Sequence, residues 1–241
     1  MVSRPGHATF VLVHGGRHGG WCWREVAARL RAAGHEVHTP TLTGVGERAH
    51  LARPDVDLDT HIRDLVATVE YEDLTEIVLV AHSYGGMVVT GAAEELHERI
   101  ARLVYLDAFV PRGGESALDL TRPSIRATLL RMAEEEGDGW YVPKPTDLRF
   151  YGLPDDPSVG WVAKRVTGQP LATYAQALAT AERAETLRRT FVRCTESSIL
   201  PERFAAEARD DPRWEYLELA CGHNAMMLAP DLTAELLLSL V

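Results

Sequence analysis

A doubly wound α/β fold, with a mostly parallel sheet and a helical cap inserted between two strands, is predicted by three observations. Short, uniformly apolar runs alternate with amphipathic stretches of helical period. A serine sits in a tight strand-to-helix turn, Ala81-His82-Ser83-Tyr84-Gly85-Gly86. One long stretch, 112–187, breaks the alternation. Strands that alternate with helices build βαβ units, and such units assemble into a parallel sheet.

Residues 8–14 form an apolar run with β-branched members that ends in Gly15-Gly16, as a buried strand would. The pattern over 23–33 is an amphipathic helix stopped by Gly34. A short strand over 36–40 follows, then a polar loop over 41–53. Residues 57–70 are helical, with Leu58, Ile62, Leu65, Val66 and Val69 on one face. The third strand, 76–81, is apolar throughout its centre, as in a sheet covered on both sides. A helix over 87–96, strands over 101–106, 190–194 and 214–219, and a closing helix over 232–241 complete the series. Between 112 and 187 no clear strand appears. Helical pieces over 125–136 and 173–187 flank a Pro- and Gly-rich middle with Trp140, Tyr141, Phe150, Tyr151 and Trp161. The stretch reads as a cap over the strand ends within one domain spanning 1–241.

Composition supports a single large domain. The chain has 241 residues, against about 150 per domain. A chain this long buries roughly 70–75 % of its unfolded surface and needs no disulfide or metal staple. Its formal charge of −10 argues against nucleic acid or an anionic membrane as partner, because phosphates would be repelled. No apolar run approaches the roughly 20 residues of a membrane span. Residues 1–7 lack the charged-then-apolar layout of a signal peptide. Cys22, Cys194 and Cys221 are odd in number and lack CxxC spacing, so neither a disulfide framework nor a zinc site is expected. The expectation is an acidic, cytoplasmic globular protein; assembly as a homodimer is left open.

The serine turn carries the chemistry. Ser83 follows an apolar strand and precedes a helix, with small residues two before and two after it, as a nucleophile elbow requires. Ala81 stands where glycine is usual. A serine hydroxyl is a weak nucleophile until a base takes its proton. Of the ten histidines, His35, His38, His50, His61 and His97 read as solvated surface residues. His14 and His82 read as strand-end residues bonded to backbone. His223 follows the last strand on the same sheet edge as Ser83, in the chain order expected of the base. The oxyanion needs two N–H donors: Tyr84, next to the nucleophile, and Gly16, in the glycine-rich loop after the first strand. A phosphate loop is excluded, since no GxxxxGK[ST] occurs.

These residues resemble the α/β-hydrolase superfamily, and within it the branch of plant methylesterases, hydroxynitrile lyases and their bacterial esterase-like relatives. The resemblance runs along nearly the whole chain and is weakest in the cap. It rests on Val13-His-Gly-Gly, His18-Gly-Gly-Trp21, the Ser83 elbow, residues 106–111, Cys194-Thr-Glu and Gly222-His223. It implies an α/β-hydrolase fold and a covalent acyl-enzyme mechanism without metal or cofactor. In that branch the triad acid ends a Cys-Thr-Glu-Asp-like segment. Here the segment reads Cys194-Thr195-Glu196-Ser197, which puts Ser197 in the acid's place. Other α/β-hydrolases place the acid after the preceding strand, where this chain has Asp107. Asp107 is therefore the expected acid and Glu196 the alternative.

A serine nucleophile argues against dehalogenase and epoxide hydrolase chemistry, which use aspartate there. The resembling lyases need polar or lysine side chains at places that hold Gly15 and Asn224 here. Hydrolysis of a small carboxylic ester, lactone or thioester is the expectation. The cap aromatics point to an apolar or aromatic substrate group, although packing would explain most of them, as it would Trp21 and Trp23. Two readings stay open beside it: a carbon–carbon hydrolase or lyase on the same triad, and a ligand-binding protein with a vestigial triad.

Overall fold

Successive side chains of the central strands point to opposite faces and are apolar on both, because each face is covered by helices. In the computed structural model, which describes residues 7–153 and 159–241, β1 (Thr9–Val13) sends Phe10 and Leu12 into one core layer. Its Val11 and Val13 enter the other. β3 (Ile77–Ser83) divides likewise, with Val78 and Val80 on the first side and Leu79 and Ala81 on the second. With β2 (Glu36–His38), β4 (Ile100–Ala108), β7 (Arg189–Cys194) and β8 (Trp214–Leu219), they form a six-stranded sheet of order β2-β1-β3-β4-β7-β8. Every ladder in it is parallel. The order reverses direction at β1, so the carboxyl ends of β1 and β3 open a crevice, the usual ligand place in such sheets.

Helices α1 (Arg24–Ala32), α10 (Ala225–Leu228) and α11 (Pro230–Leu238) cover one face. Helices α2 (Leu58–Tyr71) and α3 (Gly85–Leu96) cover the other. The start of α2 is fixed by a capping box in which the Asp57 carboxylate accepts the Thr60 N–H at 2.8 Å. A further helix, α9 (Arg203–Asp210), buries Phe204, Ala205 and Ala208 between β7 and β8. This helix is an addition to the expected series, and its buried apolar positions fall at i, i+1 and i+4.

The stretch between β4 and β7 contains α4 (Ala117–Leu120), α5 (Pro123–Glu136), α6 (Gly160–Ala163), α7 (Ala172–Ala175) and α8 (Glu182–Thr186). Two expectations fail here. The stretch does hold strands: β5 (Tyr141–Val142) and β6 (Gln169–Pro170) pair antiparallel. At two residues each they are too short for any periodicity to show. The helix expected over 173–187 is broken into α7 and α8, because Ala177 bridges to Ser116 and the Leu178 carbonyl accepts the Gly114 N–H at 2.7 Å. Backbone pairing with a distant loop outweighs the helical propensity of this Ala-rich run. Of the aromatics, Phe150 lines the crevice, Trp161 packs edge-on against Trp21 at 5.6 Å, and Trp140 packs on Tyr141. The side chain of Tyr151 lies outside the described residues.

Glycine at the start of α3 is a steric demand. A Cβ on Gly86 would stand 1.9 Å from the Phe109 carbonyl oxygen, and one on Gly85 2.8 Å from that of His14. Gly86→Ala must therefore push α3 off the sheet. It is expected to lower the unfolding free energy in urea by about 3 kcal/mol; a change below about 1 kcal/mol would show that the helix start yields freely.

Candidate active site

Ser83 ends β3 in the left-handed region, at φ +54, a strained conformation for a residue with a side chain. The strain comes from the reversal between β3 and α3, made possible by Ala81, Gly85 and Gly86 around it. It lifts Ser83 into a cavity of about 260 Å³ that Tyr84, His223, Gly16 and Asn224 also line.

The β3–β4 ladder slips at the same point. His82 pairs with Leu106 but Ser83 with Ala108, so Asp107 is an extra residue on β4, at φ +41. Such a bulge re-aims a side chain. The Asp107 carboxylate accepts the His223 Nδ1–H at 2.6 Å, with both side chains buried. With Nδ1 donating, Nε2 is left as the acceptor. The backbone of His223 is held in turn, since His82 Nε2–H donates to its carbonyl at 2.9 Å. Glu196 is exposed on the turn after β7, and its backbone N–H donates to the Cys221 carbonyl at 3.0 Å. The fold thus brings Asp107 to His223 and leaves the Glu196 side chain in solvent. Ser197 accepts the Ile199 N–H on its own hydroxyl.

The glycine-rich loop is held peptide by peptide. His14 Nε2 accepts the Leu42 N–H at 3.1 Å, so its Nδ1–H donates to the Gly15 carbonyl at 2.7 Å. A planar peptide that points this carbonyl one way points the Gly16 N–H the other. His18 Nδ1–H donates to the Gly16 carbonyl at 2.7 Å, and its ring stacks on Trp21 at 5.4 Å. Burial holds His14 neutral, down to about 3, and His18 down to about 4.

His61, a surface residue by its sequence context, is instead fully buried: Nε2–H donates to the Thr43 carbonyl at 2.8 Å and Nδ1 accepts the Tyr84 hydroxyl at 2.9 Å. The helix pattern of 57–70 places His61 beside Ile62 and Leu65, but only the partner across the core makes that position tolerable for an imidazole.

Residues with no signal in the sequence also border the cavity. Arg17, buried and at φ +65, holds its guanidinium 5.1 Å from the Phe150 ring centroid and 6.0 Å from that of Tyr174. Such placement of a cation over aromatic faces is stabilising. Phe109, Ile125, Leu129 and Leu200 add apolar wall.

A profile described as the alpha/beta hydrolase family matches residues 10–236. The chain belongs to that family. Its similarity to the carbendazim hydrolyzing esterase of Nocardioides sp. (strain SG-4G) is 42 % identity over 243 residues, covering 97 % of this chain and 99 % of that one. Methyl jasmonate esterase 1 of Vitis vinifera is 30 % identical over 229 residues, covering 85 % of this chain and 84 % of its own. The solved structure of an extracellular alpha/beta-hydrolase from a Paenibacillus species superposes with a TM-score of 0.83 at 22 % identity, over 96 % of this chain and 98 % of that one. This hydrolase is a carboxylesterase-like enzyme, a serine ester hydrolase acting on small molecules. No helix among its described residues is long and apolar enough to cross a membrane.

Proposed function

We propose that Ser83, His223 and Asp107 form the triad of this esterase, with the backbone N–H groups of Gly16 and Tyr84 as its oxyanion hole. The observation that carries the proposal is the strained Ser83 sharing one cavity with the buried His223–Asp107 pair. His223 Nε2 takes the Ser83 proton as Oγ attacks the ester carbonyl carbon. The resulting oxyanion is held by the two N–H groups, each lowering the barrier by roughly 3–4 kcal/mol. Collapse expels the alcohol, which leaves with the proton from His223. Water, deprotonated by His223, then attacks the acyl-serine and frees the acid and Ser83. Residues 112–187 act as a cap over this site within a single domain. The apolar wall favours a small ester with an apolar or aromatic group. Carbendazim, which the Nocardioides relative is named for hydrolysing, is the first substrate to try. Three buried free thiols support a reducing, cytoplasmic location.

The test is labelling with a fluorophosphonate, which needs an activated serine and assumes no substrate. Peptide mass spectrometry should find the adduct on Ser83, with labelling abolished in Ser83→Ala. A wild-type protein that resists the reagent would remove the triad reading and leave slow ligand binding as the better account.

A further inference from the structure

We propose that Gln169, in the cap, is a positioning residue that holds the oxyanion loop in its working shape. The proposal rests on Gly16 being an oxyanion donor, and it concerns a residue 152 positions further along the chain from the loop it holds.

Gln169 is almost fully buried on β6. Its Oε1 accepts the Arg17 backbone N–H at 2.7 Å and the Tyr174 hydroxyl at 3.0 Å. Its Nε2–H donates to the Thr173 hydroxyl at 2.8 Å, and Thr173 donates to the Pro170 carbonyl at 2.7 Å. The neighbouring Thr167 N–H donates to the Arg17 carbonyl at 3.1 Å. The cap thus grips Arg17 on both sides of its Cα. Within the loop, His14 and His18 hold the Gly15 and Gly16 carbonyls, whereas the Arg17 N–H is taken up by the cap. Gly15 and Gly16 have no side chains, and Arg17 sits at a positive φ that a residue with a Cβ leaves readily unless its surroundings hold it.

The packing is equally tight. A Cβ on Gly16 would fall 2.5 Å from the Tyr174 hydroxyl and 3.3 Å from Gln169 Oε1. The cap residues that Gln169 orients therefore lie directly against Gly16 and leave no room there for a side chain. Tyr174 also meets the second donor residue, since its ring lies edge-on to Tyr84 at 5.3 Å between centroids. One buried amide thus coordinates the loop bearing the first donor with the ring that backs the second. Preorganised donors stabilise an oxyanion because they need not move when charge develops, so loosening this anchor should act in the transition state and little in the ground state.

The experiment compares Gln169→Leu with Gln169→Glu, which keeps an acceptor oxygen, in the full-length enzyme. p-Nitrophenyl acetate serves as substrate and an aryl trifluoromethyl ketone as transition-state analogue. For Gln169→Leu, kcat should fall roughly 10- to 100-fold and the ketone should bind weaker by a similar factor. KM should stay within about 3-fold of wild type. Gln169→Glu should recover most of the lost kcat. Should Gln169→Leu fail to fold, Gln169→Asn, one methylene too short to reach Arg17, carries the same expectation. Unchanged kcat and ketone affinity in a folded variant, or a loss confined to KM, overturns the proposal. Ser83→Ala is measured alongside. If it remains active, the triad reading itself fails; if it is dead while Gln169→Leu is indifferent, only the clamp fails.

Discussion

Asp107→Asn is expected to lower kcat by about 10⁴-fold, the scale on which a triad depends on its carboxylate. Asparagine tolerates the left-handed backbone that Asp107 adopts at φ +41, so the bulge on β4 should survive the change. The lost property is charge. In the proposed triad, a neutral amide cannot stabilise the imidazolium formed when His223 takes the Ser83 proton. It can also present its NH₂ to Nδ1, which would turn the ring to the wrong tautomer. Glu196→Gln should leave kcat within about 2-fold of wild type, as expected for a solvated side chain away from the reacting groups. Steady-state kinetics on one activated ester decides it. If Asp107→Asn keeps more than about a tenth of the activity, or Glu196→Gln takes the larger loss, the acid has been misassigned.

Acidification should destabilise the fold well above the range in which carboxylates titrate. His14, His18 and His61 are each fully buried, and desolvation lowers them from 6.5 to about 3, 4 and 4 respectively. His82 is displaced in the same direction for the same reason. The unfolded chain protonates these rings as pH falls through 6.5, while the folded chain does not until about 4. The unfolded state therefore binds more protons in that window, and stability falls with pH. The contribution is fully present above about pH 6.5 and is lost toward pH 4. At pH 5 each of the three rings would cost about 2 kcal/mol, or roughly 6 kcal/mol together, comparable with the whole stability of a typical domain. Urea unfolding at pH 7.5, 6 and 5 measures this directly. Equal stability at the three values would mean that these rings take up protons alike in the folded and unfolded chains.

Both predictions draw on residues that the sequence represents unequally. The turn at Ser83 and Tyr84 was legible because its geometry is local: a small residue on each side of a serine, between an apolar strand and a helix, leaves few other conformations. His223 was legible from chain order, since the last strand of a parallel sheet delivers its following loop to the same edge as the others. Glu196 and Asp107 could not be separated that way. Each follows a strand on that edge, and which of them meets His223 turns on a one-residue slip between β3 and β4 that aims Asp107 at the imidazole.

His61 and Gln169 lay further out of reach. A histidine on α2 and a glutamine in the cap look like ordinary polar residues until Tyr84 is seen 2.9 Å from one and Arg17 2.7 Å from the other. The breaking of the helix expected over 173–187 has the same origin, in a bridge to Ser116. Hydrophobic period, turn sterics and strand order act over a few residues and are written in the sequence, so the sheet, the strand-to-helix turn at Ser83 and the sheet edge that carries His223 followed from it alone. The pairing of Asp107 with His223 and the anchoring of the glycine-rich loop depend on hydrogen bonds between residues more than a hundred positions apart. The burial that makes those bonds valuable, and that keeps the histidines neutral, exists only after the chain has packed.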